Sequence, residues 1–84
     1  MAFIINASGE EEEIDPSNGS DFELKELQQA IGGYIQVVRL RTGKLLVVDE
    51  DGLLKNLPIN TKASLLAGQS IVGTAVLCEE GQIL

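Results

Sequence analysis

Residues 34–50 read YIQVVRLRTGKLLVVDE, and this stretch decides the fold. Tyr34–Arg41 reads as a strand, with Tyr34, Gln36, Val38 and Leu40 on one face and Ile35, Val37, Arg39 and Arg41 on the other. Thr42-Gly43 is the signal of a two-residue hairpin connection, after which Lys44–Glu50 returns antiparallel. The returning strand is apolar at four consecutive positions, Leu45-Leu46-Val47-Val48. Successive strand side chains point to opposite faces, so four apolar residues in a row predict burial on both sides of the sheet. Ile71–Cys78 is polar only at Thr74 and carries the same message for a last strand.

Outward from the hairpin, Asp51-Gly52 is a type I′ turn signal, Leu53–Leu57 reads as a short further strand, and Leu57-Pro58-Ile59-Asn60 as a corner. Asn60 is a good cap for a helix over Thr61–Ala67 that Gly68 closes. Upstream, Ser20 and Glu23 have capping-box spacing, which predicts a helix from about Asp21. Leu24, Leu27 and Ile31 fall on one stripe of it, and Gly32-Gly33 ends it. Ala2–Asn6 reads as a short strand followed by a Ser8-Gly9 turn. Glu10–Asp15 fits either an exposed strand whose acids guard a sheet edge or a solvated loop, and Asp15–Ser20 is a turn cluster expected to be flexible.

The expectation is one domain over 1–84, with the acidic segment and flexible turns at 10–20. Its class is α+β: a small, mostly antiparallel sheet with two short helices. Two such helices cover one face of a small sheet. A second copy of the chain is the simplest cover for the other, so a homo-oligomer is expected.

Composition excludes several chemistries. Among 84 residues there are 13 acids, 6 bases, no His, no Trp and one Cys, for a net charge of −7. Without His there is no Ser-His-Asp triad, Cys-His dyad or imidazole metal site, and one Cys forms no internal disulfide. Residues 1–26 hold eight acids and one base, whereas 27–84 hold five of each. The chain is therefore a neutral body with an acidic N-terminal segment. Bulk nucleic-acid binding, which needs clustered Lys and Arg, is not expected. The apolar run Ala2–Ile5 is too short for a signal peptide, and no stretch has the ~20 apolar residues of a membrane span. With the lone Cys78, this places the chain in a reducing cytoplasm.

Asp49-Glu50-Asp51-Gly52 matches a calcium loop too weakly to count, and Glu10–Glu13 reads as a solvated face. No metal, cofactor or catalytic residue is expected. The informative set is Arg39, Arg41, Lys44, Asn60, Thr61 and Lys62. Arg39 and Arg41, two apart on a strand, would project about 6.5–7 Å apart on one face. Guanidinium forks at that spacing suit phosphate oxygens. The start of the Asn60–Ala67 helix offers free N–H groups, with Thr61 and Lys62 beside them. The alternative is that these bases pair with Asp49, Glu50 and Asp51 across the hairpin, or simply solubilise an edge.

Four runs carry a family resemblance: Leu27–Val38 (LQQAIGGYIQVV), Val48–Gly52 (VDEDG), Leu57–Ala63 (LPINTKA) and Ile71–Gly73 (IVG). In that order they resemble a family of short phage and plasmid proteins of unknown function, whose members look like LQ..VGGYIE, DEEG, LP.N..A and IVG. Gln36 stands where the pattern has Glu, and Glu10–Asp15 lies outside the likeness. The resemblance implies a small α+β fold and a mobile-element origin, and no established activity. Phage accessory proteins of this size often act by stoichiometric binding.

Three functions follow as expectations. The first is a non-catalytic homo-oligomer that sequesters a small anionic ligand, such as a cyclic or ADP-ribose-type nucleotide, in the infected or host bacterium. The second is an inhibitor docking on a host protein, as an acidic mimic. The third is a small carboxylate- and metal-dependent nucleotide hydrolase.

Overall fold

A computed structural model describes residues 2–83. Five strands form one antiparallel sheet: β1 (Ala2–Ile5), β2 (Glu11–Ile14), β3 (Ile35–Arg39), β4 (Leu45–Asp49) and β5 (Ala75–Cys78), in the order β2-β1-β5-β4-β3. Two helices, α1 (Leu24–Ile31) and α2 (Thr61–Ala67), complete the α+β fold. Within 10–15, Glu11–Ile14 is a strand: β2 pairs with β1, and its Glu11, Glu12 and Glu13 are exposed along the sheet edge.

The helices lie on opposite faces of the sheet. Leu45, Val47, Val76 and Cys78 pack with Leu27 and Ile31 of α1 and with Phe22. The intervening Leu46, Val48 and Ala75 pack with Ala63 of α2, Leu40 and Ile71. The apolar run of β4 is thus buried at every position within a single protomer. This corrects the expectation that both helices share one face, and with it the reason for requiring a second copy to cover the sheet.

Several boundaries moved for identifiable reasons. Phe22 is buried and bridges Ile83, which holds the chain extended there. The helix therefore starts three residues late, with Glu23 as cap and a capping box to Glu26. Leu24, expected on the buried stripe, is exposed. The Asp15–Ser20 cluster is tied by hydrogen bonds: Asn18 Oδ1 accepts from the N–H groups of Ser20 and Asp21, and Glu26 accepts from that of Ser17. Residues 51–56 are a series of turns, so Leu53–Leu57 is no strand, and the positive-φ residue there is Asn56, not Gly52. The last strand begins only at Ala75. Gly73 sits at φ +77°, where only Gly is comfortable, and breaks the extended run. A Cβ there would also lie 2.7 Å from Leu57 Cδ1.

Cys78 is fully buried. Burial, with Glu79 nearby, pushes its thiol up to about 11, so it stays protonated and inert at neutral pH.

Candidate functional site

The six expected binding residues divide into two groups. The first surrounds the β3–β4 hairpin. β3 ends at Arg39; Leu40 N–H donates to Lys44 O and Gly43 N–H to Leu40 O, with Gly43 at φ +89°. The connection is therefore Arg41-Thr42-Gly43, a three-residue loop with glycine in the left-handed position, and not the two-residue turn read from Thr42-Gly43. Arg41 thereby leaves the strand, which corrects the expectation of two arginines in step on one strand face. Arg39 lies across from Leu45 on the α1 face and makes a 3.0 Å exposed ion pair with Glu80. Among the described residues Arg41 and Lys44 make no ion pair, so the expected alternative of pairing with Asp49, Glu50 or Asp51 is not adopted.

The hairpin tip and the end of α2 enclose a groove of about 670 Å³, which Arg39, Arg41 and Lys44 border. Leu40, Leu66 and Leu77 give it an apolar floor. This volume lies in the range of small-molecule sites, roughly 300–1,000 Å³. A second hollow beside Gln36, Glu50, Gln69 and Ser70 has only about 150 Å³. The leucines of α2 were not read as site residues. The spacing of Leu66 and Ala67, on one helix stripe with the buried Ala63, was a signal for these two; Leu65, 79% exposed, borders the groove from off that stripe.

The second group, at the start of α2, does not join the first. Asn60 is completely buried: its Nδ2 donates to the carbonyls of Ile5 and Gly73, each at 2.8 Å, and its Oδ1 accepts from Ala63 N–H. Both amide hydrogens and the amide oxygen are engaged inside the protein, so Asn60 locks β1, α2 and the Gly73 turn together and, being buried, is out of reach of a ligand. Lys62 pairs with Glu11 of β2 at 2.6 Å. Thr61 is exposed beside it, outside the groove.

An unanticipated cluster lies at the far end of β4. The Asp49 carboxylate, 2% exposed, accepts from Lys55 Nζ at 2.8 Å and from Asp51 N–H at 2.8 Å. Lys55 Nζ also reaches Gly32 O, and a Cβ on Gly33 would lie 2.5 Å from it. A Cβ on Gly52 would meet Val72 at 2.7 Å. Residues of the Gly32-Gly33, Asp49–Gly52, Leu57-Pro58 and Ile71–Gly73 runs thus meet in space, and their contacts are structural. Burial pushes the Asp49 carboxyl up, but the Lys55 ammonium and the Asp51 N–H outweigh it and hold the group below the usual carboxylate range. Asp49 therefore adds stability above the unfolded value of ~3.9, and this contribution is lost as pH falls through the lower folded value. Lys55→Met leaves burial unopposed by the ammonium. We expect a loss of about 1–2 kcal/mol at neutral pH and an acid-unfolding midpoint shifted to higher pH, read by circular dichroism. An unchanged midpoint would show that the pair is dispensable.

Among the described residues no group of three or more His, Cys, Asp or Glu converges as metal ligands, and no described helix is long and apolar enough to cross a membrane. No curated protein and no solved structure matches the chain. A family model does, over residues 1–83, and the chain belongs to that family: the domain of unknown function DUF3846.

Proposed function

We propose that this chain is a non-catalytic accessory protein of a phage or plasmid that binds and sequesters a small anionic ligand, nucleotide-derived, in the bacterial cytoplasm. One observation carries the reading: the groove places the cationic side chains of Arg41 and Lys44 at the rim of an apolar floor of Leu40, Leu66 and Leu77. A nucleotide has the matching halves, an anionic phosphate and a flat base. The C-terminal end of α2 borders the other side, and its carbonyls and negative dipole end favour hydrogen-bond donors over phosphate. The phosphate therefore belongs at the hairpin tip and the base or ribose beside α2.

Calorimetry against linear and cyclic mono- and dinucleotides tests this. Arg41→Ala and Lys44→Ala each weaken binding at least about tenfold, since a charged hydrogen bond contributes ~1.5–3 kcal/mol, and leave the melting temperature unchanged. Lys62→Ala, outside the groove, has little effect. No binding by any of the panel overturns the reading in favour of an inhibitor that docks on a host protein. Binding followed by conversion of the ligand overturns it in favour of a hydrolase.

A further inference from the structure

We infer that β3 is a self-association edge, on which a second copy of this chain pairs antiparallel about a two-fold axis at Val37. The two edges of the sheet are built differently. β2 presents Glu11, Glu12 and Glu13, whose like charges repel any strand of the same kind. β3 presents Ile35-Gln36-Val37-Val38, with its only charge at the last residue, Arg39, and Val37 is 45% exposed.

The hydrogen bonding fixes the register. Tyr34 O accepts from Glu50 N–H and Leu40 N–H donates to Lys44 O, so the even-numbered residues of this strand bond to β4. By alternation the N–H and C=O groups of Ile35, Val37 and Arg39 point away from the sheet, without a strand partner. A two-fold axis at Val37 sets Val37 against the partner's Val37, and Ile35 against the partner's Arg39. All three outward-facing residues then exchange hydrogen bonds, and Arg39 does not face its own copy.

Charge complementarity selects the same arrangement. The β3–β4 hairpin is bipolar: Arg41 and Lys44 lie at its tip, and Glu50, bonded to Tyr34, lies at its open end. An antiparallel two-fold lays the cationic tip of each protomer beside the anionic end of the other: in this register Arg41 falls opposite the partner's Gly33, next to the Tyr34 that Glu50 bonds, and the juxtaposition occurs twice. A parallel pairing would instead set tip against tip. The ligand reading also uses Arg41, so mass is measured on the ligand-free chain and the Val37 variants, outside the groove, keep the two separate.

Sedimentation equilibrium of the full chain at micromolar concentration tests it. The expected mass is twice the 9.0 kDa of the chain. Val37→Lys sets two ammonium groups face to face at the axis, and Val37→Pro removes an outward N–H that the protomer does not use. Each weakens the dimer by at least about tenfold, with the circular dichroism of a folded protomer retained. Glu50→Arg and Arg41→Glu each weaken it as well, and the double variant in one chain restores it. A wild-type chain that stays monomeric at high micromolar concentration overturns the inference. So does an oligomer larger than two, a dimer indifferent to both Val37 variants, or a double variant no tighter than its parents.

Discussion

Asn60→Ala removes about 3–5 kcal/mol of stability and lowers the melting temperature by at least about 12 °C, the largest effect expected of a single polar substitution in this chain. The substitution deprives three buried backbone groups of their partner at once: the carbonyls of Ile5 and Gly73 and the N–H of Ala63. The first two belong to β1 and to the turn before β5, and the third to the first turn of α2. Losing the side chain thus loosens three elements at once. Asn60→Asp is more damaging at neutral pH, because it exchanges an amide donor for a carboxylate oxygen facing two carbonyl oxygens. Burial and those carbonyls raise the folded-state value of such a carboxyl, so the variant regains stability as pH falls and the group protonates. Thermal denaturation at neutral and acid pH measures both. A melting temperature within a few degrees of wild type for Asn60→Ala would show that the residue is not structural and would return the start of α2 to the candidate site.

Leu46→Ala costs about 2–5 kcal/mol, and Val47→Ala, which deletes fewer carbons, somewhat less. The two residues are adjacent and fully buried, on opposite faces of β4. One packs under α2 and the other under α1. Both losses should therefore be equal in dilute and concentrated solution, because the protomer itself covers each face. Leu54→Ala, at an 84% exposed turn position, stays within about 0.5 kcal/mol. Urea denaturation at two protein concentrations is the measurement. A penalty at Leu46 or Val47 that appears only in concentrated solution would mean that a second chain, and not a helix, buries that face.

Much of this molecule was legible in local chemistry. Asn60 before Thr61, Gly32 after Ile31 and Gly68 after Ala67 placed three helix ends correctly, because caps depend on residues a few positions apart. Where a distant residue intervened, local reading failed. Ser20 looked like a cap, but the bridge of Phe22 to Ile83 holds the chain extended past it. Ile71–Cys78 looked like one strand, but Gly73 bends where its N–H bonds to Pro58 O. The candidate site divided in the same way. Residue type alone identified Arg41 and Lys44 as available cations. Lys62 and Arg39 were of the same type, yet Glu11 and Glu80, 51 and 41 positions away, pair with them.

The sequence by itself determined both helices, strands β1, β3 and β4, the antiparallel β3–β4 pairing and the double-faced burial of β4, because each is written in periods of two or 3.6 residues. It could not determine which face each helix covers. A stripe of Leu27 and Ile31 must be buried, but both faces of β4 and β5 are apolar and accept it equally. Only the tertiary structure decided that α1 and α2 take opposite faces. That choice buries the sheet within one chain and turns Asn60 inward as a joint. It also leaves the hairpin tip with its cations, and the β3 edge, exposed.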